Sequence, residues 1–346
     1  MEQGRGRIEV LDFLRGVAAL AVALHHFCNV LDDGPIKAAS HYGQLGVQVF
    51  FVISGFIIPY SLVRGGYELR NFPTFVAKRV VRLDPPYLVT IALIVGLGFL
   101  SWYVPFQQGP RFEVSWPQVL LHLGYVNTFF GYPWLSDVFW TLAIEFQYYL
   151  LMGLVFPLAF SRDARVRLAS LAGLGALAFV VTSGAFIFHY IFLFLLGIVA
   201  CQLRTGMIGR GQCALLLAAA IAGNLAAGGL PSTLAGALAV GSILFLRVRH
   251  SVFFFLGSIS YSLYLIHSPV GRRGLNLYMR AAGADTQAEK YLAVLFAVAV
   301  SVAAAYLLYR LVERPSQRWS SALRYRPRRR EAELRPEELE QLNPAL

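Results

Sequence analysis

The feature that most constrains this chain is its series of apolar blocks, each roughly twenty residues long and long enough to cross a bilayer core as a helix. Candidate spans fall at 9–31, 44–63, 83–104, 138–160, 167–184, 186–203, 212–229, 231–247, 251–269 and 289–311. Only 14% of the residues are charged and 57% are hydrophobic, against about 25% charged in a typical soluble domain. Gly, Pro and Ser occur inside several blocks. That argues against soluble helices but is ordinary in membrane helices. The expected fold is all-α: a polytopic membrane helix bundle of about ten transmembrane helices, with both termini cytoplasmic.

The first block has basic residues before it, as a signal peptide would. It also contains Arg15, His25 and His26, and no small-residue cleavage site follows at once. It reads as a retained helix. Orientation follows from the basic residues. With the N-terminus inside, the inner segments hold Arg64, Arg70, Lys78, Arg79, Arg82, Arg162, Arg165, Arg204 and Arg210, and the tail adds Arg314, Arg318 and Arg324. The outer segments hold few, among them Lys37, Arg272, Arg273 and Lys290. This imbalance accounts for the net charge of +11. It points to anionic lipid headgroups as partners and not to nucleic acid. Residues 1–315 read as the membrane domain. Residues 316–346 read as a charged cytoplasmic tail, with RPRRR and then EAELRPEELEQL, long enough for one short helix.

Ionisable residues inside spans are costly, so each is a functional candidate. In LDFLRGVAALAVALHHF, Arg15 and His26 differ by only ~20° around a helix and lie ~16 Å apart along it. One face therefore carries a fixed cation nearer the cytoplasm and a titratable imidazole further out. His25 points ~100° away. Glu145, in WTLAIEFQYYL, enters its span from the outside to a depth like that of His26. A carboxylate there is expected to orient the imidazole and strengthen it as a base. The same segment carries Trp140 and Tyr149. In FVAKRVVRLDPPYL, Arg79 and Arg82 form an i,i+3 pair just before a helix start marked by Pro85 and Pro86. Their guanidinium forks suit phosphate oxygens, whether of a ligand or of lipid headgroups. In GSISYSLYLIHSP, His267 lies at the outer end of a span, with Tyr261 deeper. Trp140, Tyr149, Tyr261 and His267 are the substrate-binding candidates.

The sequence carries no HExxH, no cysteine metal site, no P-loop and no GxSxG. Cys28, Cys201 and Cys213 form no CxxC pair and read as small apolar fillers. If the chain is an enzyme, a base-assisted direct transfer fits better than a covalent serine route, and no metal is expected.

These segments, in order across most of residues 8–315, resemble the acyltransferase family 3 membrane proteins, which O-acylate sugars and related compounds. The matching pieces are LDFLRGVAALAVALHHF, GVQVFFVISGFII, KRVVRLDPPYL, WTLAIEFQYYL, LGSISYSLYLIHSP and VERP. One departure is His25, where the family usually has a bulky apolar residue. The resemblance implies an acyl-CoA donor on the cytoplasmic side, with acetyl-CoA the commonest case. It also implies a sugar, glycan or small-molecule hydroxyl acceptor and a bacterial inner (plasma) membrane. On that reading His26 is the base, Glu145 orients it, Arg15 guides pantetheine or stabilises the oxyanion, and Arg79 and Arg82 hold CoA phosphates. A homo-oligomer is compatible with the sequence. The rivals are a transporter, which predicts repeat symmetry and broken mid-membrane helices, and a non-catalytic scaffold.

Overall fold

The structure of the protein is a computed structural model that describes residues 8–103, 112–248, 251–283 and 285–325. Among these residues every regular element is helical. The α-helices are α1 (Glu9–Phe27), α2 (Pro35–His41), α3 (Gly46–Arg64), α4 (Phe72–Leu100), α5 (Trp116–His122), α6 (Phe139–Ala159) and α7 (Ala164–Val180). They continue with α8 (Ile191–Arg204), α9 (Arg210–Phe245), α10 (Ser251–Ile266), α11 (Arg272–Ala282), α12 (Gln287–Leu308) and α13 (Arg314–Ala322). Two π-helical turns, His267–Gly271 and Tyr309–Glu313, extend α10 and α12.

Eight helical stretches are long and apolar enough to cross a membrane. One of them, α9, breaks at Gly229, whose φ of 75° is left-handed and suits glycine. The Asn224 amide reaches the hydroxyls of Ser232 and Thr233 across that break, at 3.2 and 3.0 Å. Nine residues of straight helix would span ~13 Å, so the chain reverses there. The two arms correspond to the expected spans 212–229 and 231–247. Helix α7, of 17 residues, corresponds to 167–184. The protein is a multi-pass membrane helix bundle.

Small residues set how closely the helices approach, because membrane helices gain little from burying apolar surface against each other. Gly16 of α1 meets α10: a Cβ there would lie 2.8 Å from the Leu256 Cβ. Gly55 of α3 faces the Phe194 carbonyl of α8, and Gly197 of α8 faces the Val52 carbonyl of α3. Helices α1 and α10 run parallel, since Gly257 meets Asp12 and His267 meets His26. Helices α3 and α8 run antiparallel.

The third expected span is corrected at its start. The sequence suggested a helix beginning at Pro85 and Pro86, with Arg79 and Arg82 before it. Helix α4 instead begins at Phe72, after Asn71, with Pro73 in its first turn and both later prolines in its interior. Pro73 fits a position whose N–H has no helical partner. The interior prolines remove the i→i−4 donors of the Val81 and Arg82 carbonyls, a loss that membrane helices tolerate, and side chains bond other carbonyls of the same stretch. The Thr90 hydroxyl donates to the Pro86 carbonyl at 2.8 Å, and the Tyr261 hydroxyl donates to the Leu83 carbonyl at 2.9 Å. Arg79 and Arg82 are thus rigid helix residues.

The start of α1, the end of α3, the start of α4 and α13 meet at one end of the bundle, the basic end. There Ser320 donates to the Lys78 carbonyl, Lys78 donates to the Leu323 carbonyl, and Tyr325 packs on Tyr67. The first part of the expected tail therefore docks on the bundle. The RPRRR run and the expected short tail helix lie outside the described residues. The end of α1, with α2, α11 and the starts of α6 and α12, forms the far end.

Close helix contact makes a clear prediction. Gly197→Val forces its side chain into α3 and is expected to cost about 1–3 kcal/mol of stability. Gly209→Ala adds a Cβ with no heavy atom within 4 Å and should be neutral. Thermal unfolding of the two variants in detergent tests this.

Candidate active site

Helices α1, α3, α4, α6 and α10 enclose a cavity of about 260 Å³ towards the basic end. Arg15, Arg79 and Arg82 line it together with Glu145, Tyr149 and Tyr261. Arg15 comes from the face of α1 turned inward. Arg79 and Arg82 come from one face of α4, three residues apart. Glu145 and Tyr149 come from one face of α6, four residues apart.

The donors of these guanidiniums are largely uncommitted. Arg79 gives one hydrogen bond, from Nη2 to the Ser61 hydroxyl at 3.1 Å, and its Nε is buried without a partner. It also lies over the rings of Phe75 and Tyr149, at 5.2 and 5.8 Å. Arg15 and Arg82 make no hydrogen bond among the described residues. Two carboxylates offset the three cations. Glu145 accepts from the Ser54 hydroxyl at 2.6 Å and lines the cavity beside Tyr149. Glu313, only 3% exposed, accepts from the Ser262 hydroxyl at 2.6 Å, the Ser262 amide at 3.2 Å and the Gln317 amide at 2.9 Å. It lies close enough to Arg15 and Arg82 to act on both charges. Three fixed cations against two carboxylates leave an excess positive charge around a cavity with free donors. That arrangement suits an anion, above all a phosphate.

A second polar cluster occupies the far end. The Arg272 guanidinium donates from Nη2 to His26 Nδ1 at 2.6 Å and pairs with Asp137 Oδ2 at 2.7 Å. Asp137 Oδ2 lies 3.6 Å from the same His26 nitrogen. Partial burial pushes the Asp137 carboxyl up, but the adjacent His26 and Arg272 outweigh this and hold it below the usual carboxylate range. His267 stacks at a tilt near His26, with ring centroids 5.3 Å apart. Its Nδ1 donates to the Leu263 carbonyl at 3.1 Å, and its Nε2 is buried without a partner. Tyr264 joins the two clusters. It lines the cavity, bonds Thr141 at 2.7 Å and meets the His267 ring at 6.0 Å.

The expected pairing of Glu145 with His26 is corrected. Similar depth in the membrane does not fix position around the bundle. The face of α6 that carries Glu145 turns to the arginine cavity, and the carboxylate beside His26 is Asp137, one residue before Val138 and α6. Trp140 also departs from expectation. It lies on another face of α6, in a separate cavity of about 360 Å³ with Tyr125, Phe129, Gln147 and Tyr190. Arg15, Arg79, Arg82, Glu145, Tyr149 and Tyr261 share one cavity, and His26 and His267 share the far cluster. Sequence reasoning missed Asp137, Arg272 and Glu313 as site residues. The available signal was a charge at the edge of an apolar block, in SDVFW, SPVGRRG and VERP. No group of three or more His, Cys, Asp or Glu side chains among the described residues is arranged to hold a metal ion.

The family model for the acyltransferase domain matches residues 8–310. The chain belongs to this acyltransferase family. Its relatives include the acyltransferase MdmB of Streptomyces mycarofaciens, 29% identical over 90% of this chain and 92% of that one. The O-acetyltransferase PaAT-1 of Phomopsis amygdali is 26% identical over 85% of this chain and 78% of that one. The O-acetyltransferase OatA of Staphylococcus aureus is 31% identical, but over 42% of this chain and 24% of its own length. No solved structure matches.

Glu313 gives this site its own test. Glu313→Ala leaves the buried Ser262 donors unfilled and is expected to lower stability by about 1–3 kcal/mol. Glu313→Gln keeps an acceptor and should lose less. Unfolding midpoints in detergent, with the two variants side by side, check the order.

Proposed function

We propose that this protein transfers an acyl group, acetyl by the names of its relatives, from acyl-CoA at the basic end to an acceptor hydroxyl at the far end. On this reading the basic end faces the cytoplasm, which the positive-inside distribution supports, and the membrane is a bacterial plasma membrane. The acceptor is a sugar, a glycan or a small molecule. The observation that carries this reading is the cavity with three arginines whose donors are mostly unspent.

Arg79 and Arg82 hold the CoA phosphates, and Arg15 meets the pantetheine arm further in. From Arg15 to His26 is ~16 Å along α1, a distance an extended pantetheine spans. His26 takes the proton of the acceptor hydroxyl, and the oxygen attacks the thioester carbonyl. In the resting arrangement Arg272 donates to Nδ1, so the neutral ring carries its proton on Nε2. When Arg272 shifts towards Asp137 alone, the ring exchanges its Nε2 proton with solvent for one on Nδ1, which donates to the carboxylate. The Nε2 lone pair is then free to act as the base. Asp137 orients the ring, the role first expected of Glu145. Glu145 instead holds Ser54 and offsets the cavity arginines.

Release of CoA thiol from acetyl-CoA, with a methyl glucoside as the hydroxyl probe, tests this in nanodiscs. Wild type should release thiol only when both are present. His26→Ala should lower turnover about 10²–10⁴-fold and leave the KM for acetyl-CoA unchanged. Arg79→Ala should raise that KM about tenfold, the worth of one charge-assisted hydrogen bond. Wild-type kinetics from both variants would overturn the assignment.

A further inference from the structure

We propose that His25 and His41 carry the acceptor's proton from His26 to the water at the far end, so that each acyl transfer releases a proton there. The proposal rests on the assignment of His26 as the base.

Four imidazoles form a continuous file. The His41 and His25 ring centroids are 5.6 Å apart, those of His25 and His26 5.2 Å, and those of His26 and His267 5.3 Å. Burial grades along it. His41, on α2, is exposed, His25 and His26 are half-buried, and His267 is 0% exposed. Such spacings suit handover of a proton directly or through one bridging water.

Electrostatics give the file a direction. A proton on His26 makes an imidazolium that shares the single Asp137 carboxylate with the Arg272 guanidinium, which remains its neighbour after the shift and stands 2.6 Å from Nδ1 in the resting arrangement. Asp137 offsets this only in part, because its Oδ2 is already 2.7 Å from Arg272 and 3.6 Å from His26. The proton therefore does not rest on His26. Towards the core, His267 is a closed end: Leu263 holds its Nδ1, and its buried Nε2 has no hydrogen-bond partner among the described residues. A second proton there would place an unpaired charge in a fully buried site. Towards the far end, the Ser40 carbonyl accepts from His25 Nδ1 at 3.3 Å, which leaves Nε2 as the open lone pair. His41 stands next in the file, against the Gln44 amide and in reach of water.

The step balances. The O–H bond of the acceptor breaks, the ester C–O bond forms and the thioester C–S bond breaks. The acceptor's proton passes from His26 through His25 and His41 to water at the far end. The sulfur keeps the C–S electron pair, leaves as thiolate towards the basic end and is protonated by water there. The competing route hands the proton from His26 straight to the thiolate and needs neither His25 nor His41.

Chemical rescue separates the two routes. Initial rates of thiol release from acetyl-CoA and methyl glucoside are measured for wild type, His25→Phe and His41→Gln, in weak non-imidazole buffer and again with added imidazole. In weak buffer each variant should turn over at least about tenfold more slowly than wild type, with an unchanged KM for acetyl-CoA. Imidazole should restore both variants and leave wild type unaffected. Wild-type rates from both variants in weak buffer would overturn the proposal in favour of direct return to the thiolate. A slowing that imidazole does not relieve would also overturn it, because it marks a structural role. His41 is exposed, so His41→Gln keeps the test open should His25→Phe fold poorly. No thiol release from wild type, together with no binding of acetyl-CoA by calorimetry, would instead remove the acyl-CoA reading itself, and the proton path with it.

Discussion

Gathering three guanidiniums around one cavity inside a membrane protein is the constraint on which the rest of this bundle depends. An arginine at membrane depth is expensive, and three around one cavity repel each other. The fold meets that cost with carboxylates from two other helices. Glu145 comes from α6, and Glu313 comes from the turn after α12, where Ser262 of α10 fixes it. The five helices around the cavity and the turn that carries Glu313 must therefore stand in one relative arrangement. The glycine contacts of α1 with α10 and of α3 with α8 allow that arrangement by letting backbones meet. Compensation is incomplete, and the remaining charge is what a phosphate-bearing donor would neutralise. The site is thus poised between being tolerable when empty and attractive to an anion.

Much of the bundle was legible because apolar block length is a one-dimensional signal. Each of the ten blocks coincides largely with a helix or an arm of one, and the reversal at Gly229 sits between two of them. The shared face of Arg15 and His26 was legible too, since a single helix fixes angle and rise together. Inferences across helices fared worse. Glu145 and His26 were matched by depth alone, yet depth says nothing about which neighbour a face of α6 meets. Trp140 was carried along with Glu145, although five residues turn a helix by ~140° from in-line. Arg79 and Arg82 were the right residues on the wrong scaffold, because prolines read as helix starts in water are tolerated inside a membrane helix.

Asp137, Arg272 and Glu313 share a reason for being missed. Each sits at the margin of an apolar block, where a charge looks like an ordinary interfacial anchor. Two of the three depend on π-helical turns. The turn His267–Gly271 precedes Arg272, and Tyr309–Glu313 ends on Glu313 itself. A π turn inserts an extra residue and rotates the helix beyond it, and such turns often occur at functional sites. No apolar periodicity announces them, so the directions of Arg272 and Glu313 could not be read from spacing.

The two polar clusters also explain why one long helix opens the chain. Helix α1 contributes a charged or titratable side chain to each, Arg15 to the cavity and His26 to the far cluster. Its rise alone sets the ~16 Å between them. A donor anchored by its phosphates at one end and an acceptor arriving at the other would meet only if that separation matches the donor's reach. A transporter would have no use for such a fixed offset, because its binding groups must face each side in turn. An enzyme that passes an acyl group along the bundle needs the offset to be rigid. The close contact of Gly16, the neighbour of Arg15, with the backbone of α10 supplies that rigidity.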